Sequence, residues 1–182
     1  MRVVSGKKRG KKLETLNGDT VRPTTDKVKE SVFNVIQFEL SGASFLDLFA
    51  GSGQMGIEAL SRGASKVTFV DINRNSINVI NKNLVATSLF DNAEVVNTNA
   101  LLFLKNVTDV FDIAFLDPPY KSDVLLDALF LIPKVMSKSG IIICEHPIDV
   151  ILPDDVVDFK LIKMYKYGKI AISVFRRNIS LV

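Results

Sequence analysis

Asp47-Leu48-Phe49-Ala50-Gly51-Ser52-Gly53-Gln54-Met55-Gly56 decides the fold of this chain. An apolar, strand-like run over residues 45–49 meets a turn in which Gly51, Gly53 and Gly56 keep the spacing G-x-G-x-x-G. Glycine lets the backbone turn sharply and lets a ligand lie directly against it. Residues 53–61 then read as a helix and residues 66–70 as a second strand, which ends at Asp71, 20 residues beyond Gly51. Strand, glycine turn, helix, strand and terminal acid form, in that order, a unit that binds an adenosine-bearing cofactor. The acid accepts hydrogen bonds from the ribose hydroxyls.

The same alternation continues on both sides. Upstream, Pro23-Thr24-Thr25-Asp26 looks like a helix start, with Val28, Val32, Val35, Ile36 and Leu40 at helical spacing and Ser41-Gly42 as the stop. Downstream come a helix over 74–86, a strand over 93–97, a short helix near 100–105, a strand over 111–116 and a helix over 125–136. Pro133 should kink that last helix or end it early. A strand over 141–145 follows. Repeated β-α units imply a parallel sheet with helices on both faces. The last two strand-like runs, 157–165 and 169–176, are separated by Lys166-Tyr167-Gly168 and read as an antiparallel hairpin. The expected fold is therefore α/β and Rossmann-like. It has a mostly parallel seven-stranded sheet closed by an antiparallel C-terminal hairpin, and a plain dinucleotide-binding fold needs no such hairpin.

Composition narrows the functional classes. A chain of 182 residues, 47% hydrophobic, fits one domain with a sizeable core. The mean hydropathy of +0.24 argues against disorder and for a sheet buried on both faces. No apolar stretch approaches the ~20 residues that span a bilayer, and the basic N-terminus lacks a following apolar segment, so no membrane partner or secretory signal is expected. One cysteine, Cys144, excludes an intramolecular disulfide and fits a reducing cytoplasm. It lies in an apolar run, which suits a buried, inert thiol. His146 reads as a loop residue with no Ser, Cys or Asp set beside it, and metal-ligand spacing is absent. Net charge is +3, unevenly spread: Arg2, Lys7, Lys8, Arg9, Lys11 and Lys12 crowd the first twelve residues without an acid among them. Lys160, Lys163, Lys166, Lys169, Arg176 and Arg177 form a second basic group. A localised basic patch on a near-neutral body is the footprint of a polyanion-binding protein.

The second motif is Asp117-Pro118-Pro119-Tyr120, at the end of the run 111–116. Two prolines fix φ near −65° and hold the preceding residue extended. An acid and an aromatic ring are thereby set at the lip of a strand. The ring can stack on a flat, nitrogen-bearing substrate while Asp117 and a backbone carbonyl accept from its amino group. Glycine spacing alone does not separate a nicotinamide cofactor from S-adenosylmethionine. Asp47 favours the latter, since an acid four residues before Gly51 would face a cationic amino group and repel a pyrophosphate. The corner at Asp117 supplies an acceptor for a group to be methylated, where a dehydrogenase needs a hydride partner.

These residues resemble the S-adenosylmethionine-dependent methyltransferases of the amino-group type. More narrowly, Arg22-Pro-Thr-Thr-Asp-Lys-Val-Lys-Glu-Ser-Val-Phe-Asn34, Phe49-Ala-Gly-Ser-Gly53 and Glu58-Ala-Leu-Ser-Arg-Gly-Ala64 resemble the RsmD family, over nearly the whole chain. The resemblance implies the class I methyltransferase fold and methylation of the exocyclic N2 of one guanine in small-subunit (16S) ribosomal RNA. The donor would be S-adenosylmethionine and the product S-adenosylhomocysteine, with no metal. It implies a basic extension over residues 1–22, whose Arg2, Lys7, Lys8, Arg9, Lys11 and Lys12 contact RNA, and a methyltransferase domain over 23–182. Arg22, Pro23 and Thr24 would approach the methionine end of the cofactor. Asp47, Phe49, Ala50, Gly51, Ser52 and Gly53 would form the loop around it, Asp71 and Ile72 the ribose edge, and Asn99 and Ala100 the adenine edge. Asp117, Pro118 and Tyr120 would carry the target base. Ribosomal RNA or the small ribosomal subunit is the implied partner, and a monomer the default state. Rival readings are an amino-group methyltransferase acting on DNA or a protein amide, a nicotinamide-dependent oxidoreductase and a non-catalytic RNA-binding module.

Overall fold

The computed structural model describes residues 1–16, 26–119 and 124–178. In chain order its elements are α1 (Asp26–Val35), β1 (Ser44–Leu48), α2 (Gln54–Arg62), β2 (Lys66–Asp71), α3 (Arg74–Thr87), β3 (Ala93–Asn97), α4 (Ala100–Asn106), β4 (Phe111–Leu116), α5 (Val124–Leu131), β5 (Met136–Pro147), β6 (Asp155–Val156), β7 (Phe159–Tyr167) and β8 (Ile170–Arg177). One sheet holds the strands in the order β3-β2-β1-β4-β5-β8-β7-β6. Strands β1 to β5 pair in parallel, and β8 lies antiparallel between β5 and β7. The seven expected strands are joined by an eighth, the two-residue β6, too short to leave an alternation in the sequence.

Local chemistry explains where elements stop. Pro133 ends α5 at Leu131 and forces a 3₁₀ turn over Ile132–Val135. The helical pattern through Leu40 outlasts α1: residues 36–39 form a turn in which the Glu39 and Leu40 amides both return to the Ile36 carbonyl. Ile36 and Leu40 stay buried all the same. Strand β5 exceeds its expected span at both ends. Its last residues are recruited by β8, with Glu145 opposite Ile172 and His146 opposite Ala171.

Alternate residues of the central strands feed two cores. Phe45, Phe69, Phe115, Ile143 and Ile172 pack with α1, α2 and α3 on one face. Leu46, Leu48, Val70, Leu116 and Phe175 pack with α4 and α5 on the other. Gly56 is the point of closest approach between α2 and β2: a Cβ there would lie 2.2 Å from the Phe69 ring and 2.8 Å from Val67 Cγ1. Gly56→Ala is expected to cost about 1–3 kcal/mol, as overpacked cores do, measured as a lower urea midpoint with an unchanged m-value.

The basic N-terminal segment is not a loose tail. Arg2 and Lys12 form an antiparallel bridge, and the Val3 amide donates to the Lys11 carbonyl at 2.9 Å. Val3 and Leu13 are buried in the core shared with α1 and α2. The Glu58 carboxylate of α2 accepts from the Val4 and Ser5 amides at 2.8 and 2.9 Å and from Arg62 Nε at 2.8 Å. Glu58 also faces Lys29 of α1, with both side chains fully buried and Nζ 3.7 Å from Oε2. Lys29 Nζ in turn donates to the Arg2 carbonyl at 2.7 Å. Burial lowers the Lys29 pKa, and the charges of Glu58 and Asp26 work against that.

Candidate active site

In a parallel sheet, ligands bind outside the carboxyl ends of the strands, where the strand order reverses. Here the order reverses between β1, which leads to β2 and β3, and β4, which leads to β5. The carboxyl ends of β1, β2 and β4 deliver Asp47, Asp71 and Asp117 to that edge. The structure thus brings the unit of glycine loop and Asp71 together with the acidic corner at Asp117.

The loop after β1 is built tightly. Phe49 takes φ +72°, rare for a non-glycine residue, and Gly51 and Gly53 take +55° and +75°. Backbone held in such a region marks a place that the surroundings over-determine. A Cβ on Gly51 would meet nothing within 4 Å, so its outer side is open. Asp71 steadies the loop by accepting from the Gly51 amide at 2.8 Å through one oxygen and from the Asn73 amide at 2.7 Å through the other. An ionised carboxylate has about four acceptor positions, which leaves capacity for two hydroxyls. Ile72 beside it is 69% exposed. Asn99 caps α4, accepting from the Leu101 and Leu102 amides, so its oxygen is engaged while its NH2 group is still a donor. Ala100 is buried behind it.

Asp47 lies beneath the loop and accepts from the Gly56 amide at 2.8 Å. Burial, opposed by that hydrogen bond and assisted by the charge of Asp71, pushes its pKa from 3.8 to about 7. Between those values the folded protein keeps a proton that the unfolded chain has lost, so this group's contribution to stability falls as pH rises from about 4 to about 7. Asp47→Asn keeps an acceptor for Gly56 and removes the buried charge. It should raise cofactor-free stability at pH 8 by at most about 4 kcal/mol and much less at pH 4, measured by denaturation across pH. Gln54, in the first turn of α2, presents a buried Oε1 with no hydrogen-bond partner among the described residues. Acceptors at Asp47, Asp71 and Gln54 suit a ligand rich in donors and positive charge, and the residues present therefore fit S-adenosylmethionine.

Asp117 follows the last paired residue of β4, with Pro118 buried and Pro119 exposed. Its side chain reaches the lip, yet the carboxyl sits deep enough that burial is the main cause of a pKa held well above the usual carboxylate range. The charges of Glu145 and Asp47 add to it. Sequence reading missed two residues of this region. Glu145, on β5, is 3% exposed and gave no signal beyond an acid at the end of an apolar run. Asn83 of α3 is buried, accepts from the Glu14 amide at 2.7 Å, and donates to the Glu14 carbonyl at 3.1 Å and to the Ser52 carbonyl at 3.0 Å. One side chain thus joins the end of the N-terminal hairpin to the glycine loop.

Arg22, Pro23, Thr24 and Tyr120 lie outside the described residues. His146, expected in a loop, is instead in β5 and buried. Strand pairing with β8 extends past the apolar run, and the imidazole is satisfied within the sheet. Its Nδ1 contacts the Pro147 carbonyl and its Nε2 the Ser173 Oγ, each at 2.8 Å. A carbonyl only accepts, which places the proton on Nδ1. Cys144 is buried, and burial pushes its thiol pKa up, as expected for an inert thiol. Among the described residues no group of three or more His, Cys, Asp or Glu side chains could hold a metal ion, and no helix is long and apolar enough to cross a membrane.

Fold and edge together define a class I S-adenosylmethionine-dependent methyltransferase. The solved Escherichia coli structure yhhF, described provisionally as a methyltransferase, superimposes with a TM-score of 0.85 at 32% identity, covering 97% of each chain. The family model "Conserved hypothetical protein 95" matches residues 1–176, and the chain belongs to that family, the RsmD family. Bacillus subtilis YlbH, described provisionally as an rRNA methyltransferase, is 41% identical over 184 residues, 98% of this chain and all of that one. The Escherichia coli protein named ribosomal RNA small subunit methyltransferase D is 34% identical over 98% of this chain and 90% of its own length.

Proposed function

We propose that this protein transfers a methyl group from S-adenosylmethionine to the exocyclic N2 amino group of a guanine in small-subunit ribosomal RNA. The observation that carries this reading is the placement of Asp117 at the strand-order reversal, beside the glycine loop and Asp71. Family membership supplies the ribosomal RNA. When bound, the cofactor supplies an electrophilic methyl group on a sulfonium centre.

The chain's own residues do the rest. Asp71 holds the ribose hydroxyls beside Ile72, Ala100 flanks the adenine and the Asn99 amide group donates to it. Asp47 and Gln54, with Arg22, Pro23 and Thr24, receive the methionine end. The guanine amino group is a poor nucleophile because its lone pair is delocalised into the ring. Orientation and local electrostatics therefore carry the catalysis. The target base leaves its stack and lies against Tyr120. Asp117 and the Pro118 carbonyl accept the two amino hydrogens, turning the nitrogen lone pair toward the methyl group. Asp117 or water takes the released proton. Arg2, Lys7, Arg9, Lys11 and Lys12, all exposed on the N-terminal hairpin, and the half-buried Lys8 neutralise backbone phosphates.

The test is labelled methyl transfer from S-adenosylmethionine to unmodified small-subunit RNA and to small-subunit particles, followed by nucleoside analysis. N2-methylguanosine is the expected product. Label at another position removes the guanine-N2 assignment, and no transfer to any RNA removes the reading altogether.

A further inference from the structure

The basic hairpin is seated along α2, from one end of that helix to the other. At the far end the Lys7 amide donates to the Ser61 carbonyl at 2.7 Å and the Lys8 amide to Ser61 Oγ at 2.9 Å. A Cβ on Gly6 would lie 1.9 Å from the Ser61 carbonyl oxygen, so the hairpin turn is pressed onto the helix backbone. In the middle, Glu58 accepts from the Val4 and Ser5 amides. At the near end the hairpin leaves at Glu14 and is tied to Ser52, just before α2, through Asn83. Asn83 is 1% exposed, and its oxygen and both amide hydrogens are engaged. The terminal torsion of an asparagine is broad when left to itself. Two bonds to the Glu14 backbone therefore set the plane of the amide group and aim the third at Ser52. Asp71 and Asp47 tie Gly51 and Gly56 to the sheet, whereas the tie at Ser52 runs to the basic hairpin.

We propose that Asn83 is a positioning residue that couples RNA docking on the hairpin to cofactor binding in the glycine loop. Resting on the methyltransferase reading above, the role passes through two backbone segments and needs no contact with either ligand. Phosphates held by the exposed Lys11 and Lys12 keep the strand that ends at Glu14 against α3. Glu14 then fixes the Asn83 amide group, and Asn83 fixes the Ser52 carbonyl between Gly51 and Gly53. A loop already ordered in this way costs less to order when the cofactor lies on it. By linkage, cofactor in the loop tightens RNA binding by the same factor. The methyl donor is thus held most tightly when a substrate is present.

Equilibrium dialysis of labelled S-adenosylhomocysteine, alone and with saturating unmodified small-subunit particles, tests this. In the wild type the particles should tighten binding by at least about fivefold, the lower end of ordinary coupling. Asn83→Ala should reduce that factor to below about twofold. Glu14→Pro, which lacks the amide hydrogen, should do the same from an exposed position, so the role can be read even where Asn83→Ala does not fold. Glu14→Ala keeps both backbone groups and should keep the coupling. A purely structural Asn83 would lower the urea midpoint and leave the factor unchanged. Equal affinity with and without particles in the wild type overturns the proposal, as does full coupling in Asn83→Ala or Glu14→Pro. If the wild type binds no S-adenosylhomocysteine, the methyltransferase reading falls and the proposal with it. If it binds S-adenosylhomocysteine and no particle, the ribosomal part of that reading falls, again with the proposal. If it binds both without coupling, only the role of Asn83 falls.

Discussion

Asp117→Ala is expected to lower methyl transfer by about 10²- to 10⁴-fold, the range for removing a positioned proton-accepting group, while S-adenosylhomocysteine still raises the melting temperature. The two readouts separate because Asp117 leaves β4 and the contacts that shape the cofactor loop come from elsewhere. Asp71 holds Gly51, Asp47 holds Gly56, and Asn83 holds Ser52. None of these bonds passes through the Asp117 side chain. Alanine also relieves a buried carboxyl whose ionisation is opposed by burial and by Glu145, so the variant should be no less stable than the parent near neutral pH. Asp117→Asn keeps one acceptor and should retain more activity than alanine. Turnover by Asp117→Ala close to that of the parent would remove Asp117 from the reaction.

The second large effect is on stability. Glu58→Ala should cost about 3–5 kcal/mol, the usual result of removing one partner from a buried ion pair, read from equilibrium urea denaturation at pH 7. The substitution leaves the Lys29 ammonium buried without its carboxylate and strands the Val4 and Ser5 amides. The deficit should also depend on pH. Removing Glu58 takes away the largest influence that raises the Lys29 pKa, so the folded-state value falls further below 10.5. Between that value and 10.5 the unfolded chain binds the extra proton, and stability rises with pH in that window. The gap between Glu58→Ala and the parent should therefore narrow as pH is raised from 7 toward 10. A gap that stays constant would mean that the amides of the hairpin, and not Lys29, account for the loss.

Much of the fold was legible because parallel strands buried on both faces read as continuous apolar runs. Phe111–Leu116 falls where such a run places it, and the half-exposed edge strand Ala93–Asn97 falls at its expected bounds on the shorter run of Val95 and Val96. Glycine spacing, the acid at Asp71 and the Pro-Pro corner were legible as local backbone chemistry. What stayed hidden depends on partners distant in the chain. Lys29 sits in Asp26-Lys27-Val28-Lys29-Glu30 with nothing local to distinguish it from exposed Lys27; only the arrival of Glu58 and the Arg2 carbonyl makes its burial tolerable. His146 looked like a loop residue because its satisfaction comes from Ser173, 27 residues away. Asn83 carried no pattern at all, since its hydrogen bonds join two backbone segments that meet only in the folded molecule.

The position of β8 has a consequence for how the molecule is made. Residues 170–177 are made after every strand they will pair with, yet they lie inside the sheet, between β5 and β7. Until they leave the ribosome, the long β5 keeps one edge open over Ile141–Pro147, the stretch that β8 will cover. An unpaired apolar edge is a template for pairing with another chain, and nascent intermediates of this kind are prone to aggregate. The nascent chain therefore stays dependent on β8: the parallel half can collapse early, but the sheet closes only once β8 has emerged.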